Sequence, residues 1–264
     1  MKISFVILSW NSCKHLEICL NSIVEMNKGQ DYKYEIFVVD NGSNDGSVEL
    51  LREYEANHSG IVKPILLDHN TGTTYSRNLA LKKCQGDYVV ILDSDVRLHD
   101  NTMQVLISKI QEHSDVGMVV PKLLYGSGRL QKSTDQFPTL MRKIVRLFLL
   151  KKIEDKEANL ETSLKDIEVD YAISAFWVIP KAVIKEVGLL DENIFYAPED
   201  VDYCLRIWKS GYRILYSPEA VATHDAQEIS RGFKMNKAKI EHIKGLIYYF
   251  WKHKYIFTKP EMHT

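Results

Sequence analysis

Four short apolar runs in the first 93 residues alternate with segments of helical periodicity, and this alternation constrains the fold more than any other feature of the chain. The apolar runs cover residues 3–10, 35–40, 61–67 and 88–93. Continuous apolar runs of this length are typical of strands that are covered on both faces. Strands that alternate with helices at this spacing indicate βαβ units and right-handed crossovers. We therefore predict an α/β fold with a mostly parallel central sheet flanked by helices.

The alternation becomes less regular after about residue 100. Helices are predicted near residues 16–26, 47–54, 73–84, 101–113, 180–187 and 199–210, with a long terminal helix at 231–254. Further strands are predicted at residues 116–120, 169–179, 213–217 and 220–224. Residues 126–168 are polar and mixed, with one basic stretch, and we expect them to be partly helical and mobile.

Composition argues against several classes of protein. The chain has 264 residues and a formal net charge of −1, so its overall charge predicts no nucleic-acid partner. Its four cysteines form no Cys-x-x-Cys pair and are too few for a disulfide framework, which favours a reduced, cytoplasmic protein. Residues 1–10 lack the length and cleavage site of a signal peptide. No stretch reaches the roughly 18–20 apolar residues that a membrane span needs.

The fourth apolar run ends in Asp93-Ser-Asp95, where two carboxylates stand one residue apart. Side chains alternate along an extended backbone, so Asp93 and Asp95 can point the same way. Two carboxylates at the carboxyl end of a strand can hold a divalent cation and, through it, a diphosphate. The alternative is that the tripeptide merely ends a strand and begins a turn.

Polar residues follow the other predicted parallel strands as well. Ser9 and Asn11 follow the first strand, Asp40 ends the second, and Asn70 follows the third. In an open parallel sheet, ligands bind outside the carboxyl ends of the strands. Asp40 can accept hydrogen bonds from a nucleobase or a ribose, or it can form a simple Asx-turn. The chain has no Gly-x-Gly-x-x-Gly and no Gly-Lys-Ser/Thr, which argues against a dinucleotide fold and a phosphate loop.

Two later features add candidates for chemistry. Glu199 and Asp200 stand in the first turn of a predicted helix, where acids also suit the helix dipole. A carboxylate held there over a pocket can act as a general base toward a hydroxyl group. His224 ends a short apolar run and is either structural or a partner of an Asp-bound Mn²⁺ or Mg²⁺.

Taken in order, these segments resemble the motifs of family 2 glycosyltransferases of the GT-A fold, with the rhamnosyltransferase-like branch the most similar. The motifs lie at residues 7–11, 38–47, 70–78, 92–95, 187–192 and 198–206. The resemblance spans about residues 3–225. It implies inverting transfer of a sugar from a nucleoside-diphosphate sugar to a hydroxyl group.

The resemblance also implies roles on the donor side. Asp40 matches the residue that contacts the base, and Arg77 matches the arginine near the diphosphate. Asp93 matches the ribose-side aspartate. The donor-binding residues implied in this way are Ser9, Asn11, Asp40, Asn70, Arg77 and Asp93.

On the metal and acceptor sides, Asp95 and His224 match the ligands of Mn²⁺ or Mg²⁺. Asp200 matches the catalytic base, and Glu199 is expected to contact the acceptor. The family often has Gly-Ala before its acceptor helix, where this chain has Ser-Ala followed by Phe-Trp. We expect Trp177, which belongs to that bulkier segment, to contact the acceptor.

The resemblance divides the chain into a catalytic domain at residues 1–225 and a C-terminal amphipathic helix and tail at 226–264. Residues 1–98 are expected to bind the nucleotide sugar. Residues 99–225 are expected to form the acceptor-binding region, which contains the mobile basic segment 126–168.

The expected enzyme is a hexosyl- or rhamnosyltransferase that uses a UDP- or dTDP-linked donor in bacterial surface-polysaccharide or glycan synthesis. Its acceptor is expected to be a glycan or lipid-linked hydroxyl group. One alternative is a metal-dependent nucleotidyltransferase, which needs a basic, glycine-rich loop after the first strand that residues 9–13 do not supply. The other alternative is an inactive member of the family that binds a nucleotide sugar or serves as a scaffold.

Two basic segments, residues 139–152 and 231–254, interleave cations with large apolar residues. One interpretation is an amphipathic helix that packs on the catalytic domain with its basic face in water. The other is peripheral docking on an anionic membrane, at the inner face of the cell membrane, which suits a lipid-linked acceptor.

Overall fold

A computed structural model of the chain describes residues 1–139, 165–226 and 237–262. The predicted basic segment at 139–152 therefore lies almost entirely outside the described residues. The first six residues of the predicted C-terminal helix, 231–236, also lie outside them.

The described chain follows the predicted alternation of strands and helices. The strands are β1 (Lys2–Ser9), β2 (Lys33–Asp40), β3 (Val62–Leu66), β4 (Tyr88–Asp93), β5 (Val96–Leu98), β6 (Val116–Leu124), β7 (Thr134–Asp135), β8 (Ile167–Glu168), β9 (Tyr171–Ala172), β10 (Phe176–Pro180) and β11 (Arg213–His224). The helices are α1 (Cys13–Met26), α2 (Ser47–Asn57), α3 (Thr73–Leu81), α4 (Thr102–Glu112), α5 (Lys181–Val187), α6 (Glu199–Lys209) and α7 (Lys237–His253).

The central sheet has the strand order β3-β2-β1-β4-β10-β6-β11-β5, and β8 pairs with β11. The first four strands pair in parallel, as the alternation predicted. Strand β10 enters antiparallel between β4 and β6, while β11 runs parallel to β6. The α/β prediction is confirmed, and the first four strands all end at one edge of the sheet.

Both faces of the sheet are covered, which is why its strands read as continuous apolar runs. On β1, Phe5 and Ile7 face one core with α1, α2 and α4, while Val6 faces the other core. That second core includes residues of α3, α5 and α6, together with Tyr249 of α7. The strands that end at the edge of the sheet are therefore packed between two cores.

Three boundaries differ from the sequence-based expectations. The strands predicted at 213–217 and 220–224 form one strand, β11, whose pairing with β6 is interrupted between Ser217 and Val221. Pro218, which has no N–H group for the ladder, lies in this interruption. The extended segment predicted at 169–179 divides into β9 and β10. The described parts of 126–168 contain β7 and β8 rather than a helix.

Helix α7 packs against the segment that leads into α6. Tyr249 is fully buried, and its hydroxyl group lies 2.6 Å from that of Tyr255. A Cβ atom on Gly245 would lie only 2.1 Å from the carbonyl oxygen of Ala197, so the two backbones touch. None of the described helices combines the length and the apolar character needed to cross a bilayer.

Candidate active site

A cavity of about 690 Å³ opens at the carboxyl ends of the parallel strands and is closed on its far side by the start of α6. Its wall brings together charged side chains that are far apart in the sequence. They are Arg77, Asp93, Asp95, Lys132, Glu199, Asp200, His224 and Glu241.

A cluster of Asp93, Asp95 and His224 forms one part of this wall. Their ligating atoms all lie within 4.8 Å of one another. Strand β11 pairs antiparallel with β5 so that His224 stands opposite Val96, which places the imidazole beside Asp95. Nε2 of His224 lies 3.2 Å from Oδ1 of Asp95 and 3.9 Å from Oδ2 of Asp93. Two carboxylates and an imidazole are a suitable ligand set for Mn²⁺ or a similar divalent cation.

Gln131 orients the histidine of this cluster. Nδ1 of His224 donates to Oε1 of Gln131 across 2.9 Å, which leaves Nε2 as the ring nitrogen that faces the two aspartates. Metal-bound histidines commonly use their second nitrogen in this way. The arrangement of the three residues therefore fits a metal ion. Gln131 was not predicted, because one glutamine in a loop after β6 carries no sequence signal.

The charged groups in the cluster shift one another's pKa values. Burial alone would lower the pKa of His224, but the hydrogen bond and the charge of Asp95 outweigh it and raise the pKa above its usual value. Burial alone would raise the pKa of Asp95, and the same hydrogen bond reverses this and lowers it. Burial raises the pKa of Asp93, although the nearby Arg77 acts in the opposite direction.

Arg77 connects this cluster with the start of α6. Its guanidinium group is buried, with 1% of the side chain exposed, and Nη2 donates to Oδ1 of Asp93 at 2.5 Å. Nη1 donates to Oγ of Ser174 at 2.8 Å and lies 3.5 Å from Oε1 of Glu199. Among the described residues its Nε has no hydrogen-bond partner. A single cation thus lies between the metal-type cluster and the acidic pair of α6.

Glu199 and Asp200 begin α6, and both line the cavity. Glu199 is buried and accepts a hydrogen bond from Oγ of Ser174 at 2.8 Å. Its burial, together with the charge of Asp200, raises the pKa of Glu199 to about 8. Asp200 is less buried than Glu199. The two adjacent carboxyl groups therefore differ in environment, which is common where one of a pair acts as a base.

Asp202 is turned away from the cavity. It is buried, and its Oδ1 accepts hydrogen bonds from Nζ of Lys252 at 2.6 Å and from Nε2 of His253 at 2.8 Å. Its Oδ2 accepts from Nε of Arg206 at 3.0 Å. This carboxylate therefore ties α7 to α6 two residues beyond Asp200.

The predicted nucleoside residues lie beside the cavity, and only some reach its surface. Asn70 lines the cavity and accepts a hydrogen bond from Nδ2 of Asn41 at 3.1 Å. Asp40 is fully buried; its Oδ1 accepts from the backbone N–H of Ser43, and its Oδ2 has no hydrogen-bond partner within the described ranges.

Ser9 and Asn11 do not line the cavity. Ser9 is fully buried, and its hydroxyl group lies 3.0 Å from that of Ser12, which continues to Ser94 at 2.7 Å. Asn11 is exposed, and its Oδ1 accepts from the backbone N–H of Asn44 at 2.9 Å. Asn11 thus supports the loop that follows β2 rather than the cavity wall.

The prediction that Trp177 contacts an acceptor does not agree with its position. Trp177 is fully buried in the core on β10, stacks on Tyr203, and donates from Nε1 to the carbonyl oxygen of Ala172. Because both faces of the sheet are covered, the side chain has no path to the cavity. The aromatic side chains that line the cavity are Trp10, Tyr125, Phe195 and Tyr196.

Comparison with known proteins shows which family this chain resembles. The model for glycosyl transferase family 2 matches residues 4–188. The poly(ribitol-phosphate) β-N-acetylglucosaminyltransferase TarS of Staphylococcus aureus strain MW2 is 30% identical over 205 residues, a match that covers 76% of this chain and 30% of that protein. The chain spans between 30% and 64% of the length of four curated relatives that it matches, and 73% of the length of a fifth.

Two solved structures share the fold at low identity. GalNAc-T7, solved with UDP, GalNAc and Mn²⁺, superposes with a TM-score of 0.69 at 16% identity and covers 95% of this chain and 48% of its own. The mannosyltransferase PcManGT of Pyrobaculum calidifontis, solved with GDP-Man and Mn²⁺, gives a TM-score of 0.65 at 18% identity. That superposition covers 98% of this chain and 65% of PcManGT. Both structures contain Mn²⁺ and a nucleotide.

Proposed function

The chain belongs to glycosyltransferase family 2 and has the GT-A fold, and on that premise we propose that it is an inverting glycosyltransferase. It moves a sugar from a nucleoside-diphosphate sugar to a hydroxyl group. One observation carries the proposal: the Asp93, Asp95 and His224 cluster and the Glu199–Asp200 pair line the same cavity. The first group suits a metal-bound diphosphate and the second suits a hydroxyl nucleophile.

The metal-type cluster defines the leaving-group side of the reaction. Asp95 and His224 would hold Mn²⁺ or Mg²⁺, with Asp93 beside them. A bound divalent cation supplies Lewis-acid stabilisation of the charge that grows on the departing diphosphate. Arg77 lies next to Asp93 and adds a fixed positive charge on the same side.

The donor nucleoside is assigned to the strand-end residues. Within the described residues Oδ2 of Asp40 has no hydrogen-bond partner, and it is an acceptor of the kind that an N–H group of a base would satisfy. Asn70 lies in the cavity wall beside this position, while Ser9 and Asn11 hold the surrounding loops. We infer a UDP- or dTDP-linked hexose or rhamnose as the donor.

Asp200 is assigned as the general base. It takes the proton of the acceptor hydroxyl group while that oxygen bonds to the anomeric carbon. The bond between the anomeric carbon and the diphosphate oxygen breaks, and its electron pair leaves with the diphosphate. A single in-line displacement of this kind inverts the anomeric configuration. General-base assistance contributes about 10²–10⁴-fold in rate.

The acceptor is assigned to the side of the cavity formed by α6. Glu199 stands beside the base, and Tyr196 lines the cavity next to both. The S. aureus relative of this chain is a poly(ribitol-phosphate) β-N-acetylglucosaminyltransferase. The name of that relative supports a hydroxyl-rich polymer as the class of acceptor. We propose a glycan or lipid-linked hydroxyl group, in the synthesis of a bacterial surface polysaccharide or other glycan.

The test begins with donor binding. Thermal unfolding is measured with UDP-, dTDP- and GDP-sugars, each with and without Mn²⁺. A donor present at about 100 times its Kd stabilises the fold by about 2.7 kcal/mol, which raises Tm by several degrees. Stabilisation by one nucleotide class, stronger with Mn²⁺, is expected.

The second part measures turnover. The stabilising donor is incubated with glycan and lipid-linked hydroxyl acceptors, and release of the nucleoside diphosphate and the anomeric configuration of the product are followed. Stabilisation without transfer would favour an inactive, nucleotide-sugar-binding member of the family. No stabilisation by any nucleotide sugar would refute the donor assignment, and a product of retained configuration would refute the inverting mechanism.

A further inference from the structure

Helix α7 carries an apolar row on the side that faces away from the protein. Ile240, Ile243, Ile247 and Trp251 are spaced by three and four residues and therefore share one helical face. Their exposed fractions are 42%, 48%, 66% and 74%. The opposite face carries Tyr249, which is fully buried. In the part of the chain that the structure describes, nothing covers the row.

Two more apolar residues follow shortly after the helix in the sequence. Ile256 and Phe257 are also exposed, and we call these six residues the apolar face. Of the twelve large hydrophobic side chains that are exposed in the described ranges, these six lie within 18 consecutive residues. Scattered exposed apolar residues are normal, whereas the four that share one face of α7 form the kind of patch that marks an interaction surface.

The charges around the apolar face are positive. Lys244 is exposed on α7, one residue after Ile243, and Lys254 is exposed directly after the helix ends. Glu241 is the acidic residue of α7, and it lies on the cavity side, where Oε1 accepts from Nζ of Lys244 at 2.8 Å. Over residues 231–254 the sequence has seven lysines and arginines against this one acid, and of these Lys252 is already paired with Asp191 and Asp202. An apolar row with Trp and Ile, bordered by lysine, is the pattern of a helix that lies in a membrane interface.

A second copy of the chain is a poorer occupant. In a two-fold contact the same patch meets itself, so the lysines at its edges would face the lysines of the other copy. An anionic lipid surface supplies the opposite charge instead.

The apolar face lies on the same helix as residues that border the cavity. Glu241, one residue after the first member of the row, lines the cavity, and Gly245 touches Ala197 of the cavity wall. We propose that the apolar face docks on an anionic bilayer and places the acceptor side of the cavity next to the lipid surface. The apolar face is separate from the proposed donor site. The docking proposal therefore does not depend on which sugar the enzyme transfers.

The experiment is co-sedimentation of the full chain with vesicles. Vesicles of equal parts phosphatidylcholine and phosphatidylglycerol are compared with pure phosphatidylcholine, at low and at high salt. Wild-type protein is expected to bind the anionic vesicles, more weakly at high salt. Trp251→Glu and Ile247→Glu are each expected to lower the partition coefficient at least about tenfold. Lys254→Gln removes one cation and lowers it about fivefold.

Ile18→Glu is the matched control, because Ile18 is 45% exposed on α1 outside the apolar face, and its binding should equal that of the wild type. All the substituted side chains are exposed, so unchanged circular dichroism and Tm establish that the variants fold. Failure of the wild-type protein to bind anionic vesicles overturns the proposal, as does binding that Trp251→Glu leaves unchanged. A lipid-free dimer that Trp251→Glu dissociates, detected by light scattering, also overturns it and identifies a second copy as the occupant.

Discussion

Gln131 accepts a hydrogen bond from Nδ1 of His224 at 2.9 Å and thereby fixes which ring nitrogen faces Asp95. We predict that Gln131→Ala lowers the affinity for Mn²⁺ by about 10–100-fold, because the imidazole loses its orienting partner. Isothermal titration of the metal-free protein with Mn²⁺ measures this affinity.

Gln136→Ala is the control for that experiment, since Gln136 lies five residues further along, is exposed, and is not part of the cavity wall. Its Mn²⁺ affinity should equal that of the wild type. If the Gln131→Ala variant bound Mn²⁺ as tightly as the wild type, Gln131 would have no role in orienting His224 for the metal.

Asp200→Asn keeps the size of the side chain and removes its basicity. We expect kcat to fall by about 10²–10⁴-fold while the donor still raises Tm as it does in the wild type. The contrast separates loss of the base from loss of binding. A variant that retained full activity would exclude Asp200 as the base.

Glu199→Gln is expected to be far less damaging than Asp200→Asn. Burial and the charge of Asp200 raise the pKa of Glu199 to about 8, so at neutral pH a neutral amide resembles its prevailing form. We expect less than about a tenfold loss of kcat/KM at pH 7, within the range of one neutral hydrogen bond. Parallel steady-state kinetics of the two variants provide the measurement, and a larger loss in Glu199→Gln would reverse the two assignments.

Gly245→Ala distinguishes helix propensity from packing. In an exposed helix interior, alanine stabilises by about 1 kcal/mol relative to glycine. Here the added methyl group would approach the carbonyl oxygen of Ala197 to 2.1 Å, so α7 must move. We expect the free energy of unfolding to fall by about 1–3 kcal/mol, measured by urea denaturation. A more stable variant would show that this contact is not tight.

Glu35 gives a prediction of how stability depends on pH. Burial would raise its pKa, but hydrogen bonds from Lys63, Lys2, Ser4 and the backbone N–H of Gln85 lower it to about 2. The unfolded value is about 4.3, so the stabilisation is complete above that pH and is lost as pH falls toward 2.

Glu35→Gln should therefore lower the free energy of unfolding by about 1–3 kcal/mol at pH 7. The difference from the wild type should shrink as the pH falls below about 4.3. Urea denaturation across this range measures it. Donor binding should not change, because Glu35 lies near the start of β2, away from the cavity. A pH-independent difference would contradict the assignment.

The sequence predicted the first four strands well because a strand covered on both faces leaves an unmistakable apolar run. It did not predict that β10 enters antiparallel between β4 and β6, because an apolar run carries no direction. Trp177 was assigned wrongly for a related reason. Because helices cover both faces of the sheet, a side chain on β10 is buried on either face, and Trp177 is therefore in the core.

The candidate site was predictable only in part. Residues at the ends of strands, such as Asp93 and Asp95, are marked by position in the sequence. Gln131 and Ser174 are not, because they come from loops and act only through contacts with residues far along the chain. Such partners become visible only once the tertiary structure brings them together.

The buried guanidinium of Arg77 has a consequence for how this protein can change. It is shared by Asp93 on one side and Glu199 on the other, so these positions form one electrostatic unit rather than two independent sites. Substitutions within the unit should be non-additive, since replacing either acidic side chain changes the partners that the cation keeps. Under the proposed donor and acceptor roles, a substitution at Asp93 should therefore change the effect of a substitution at Glu199.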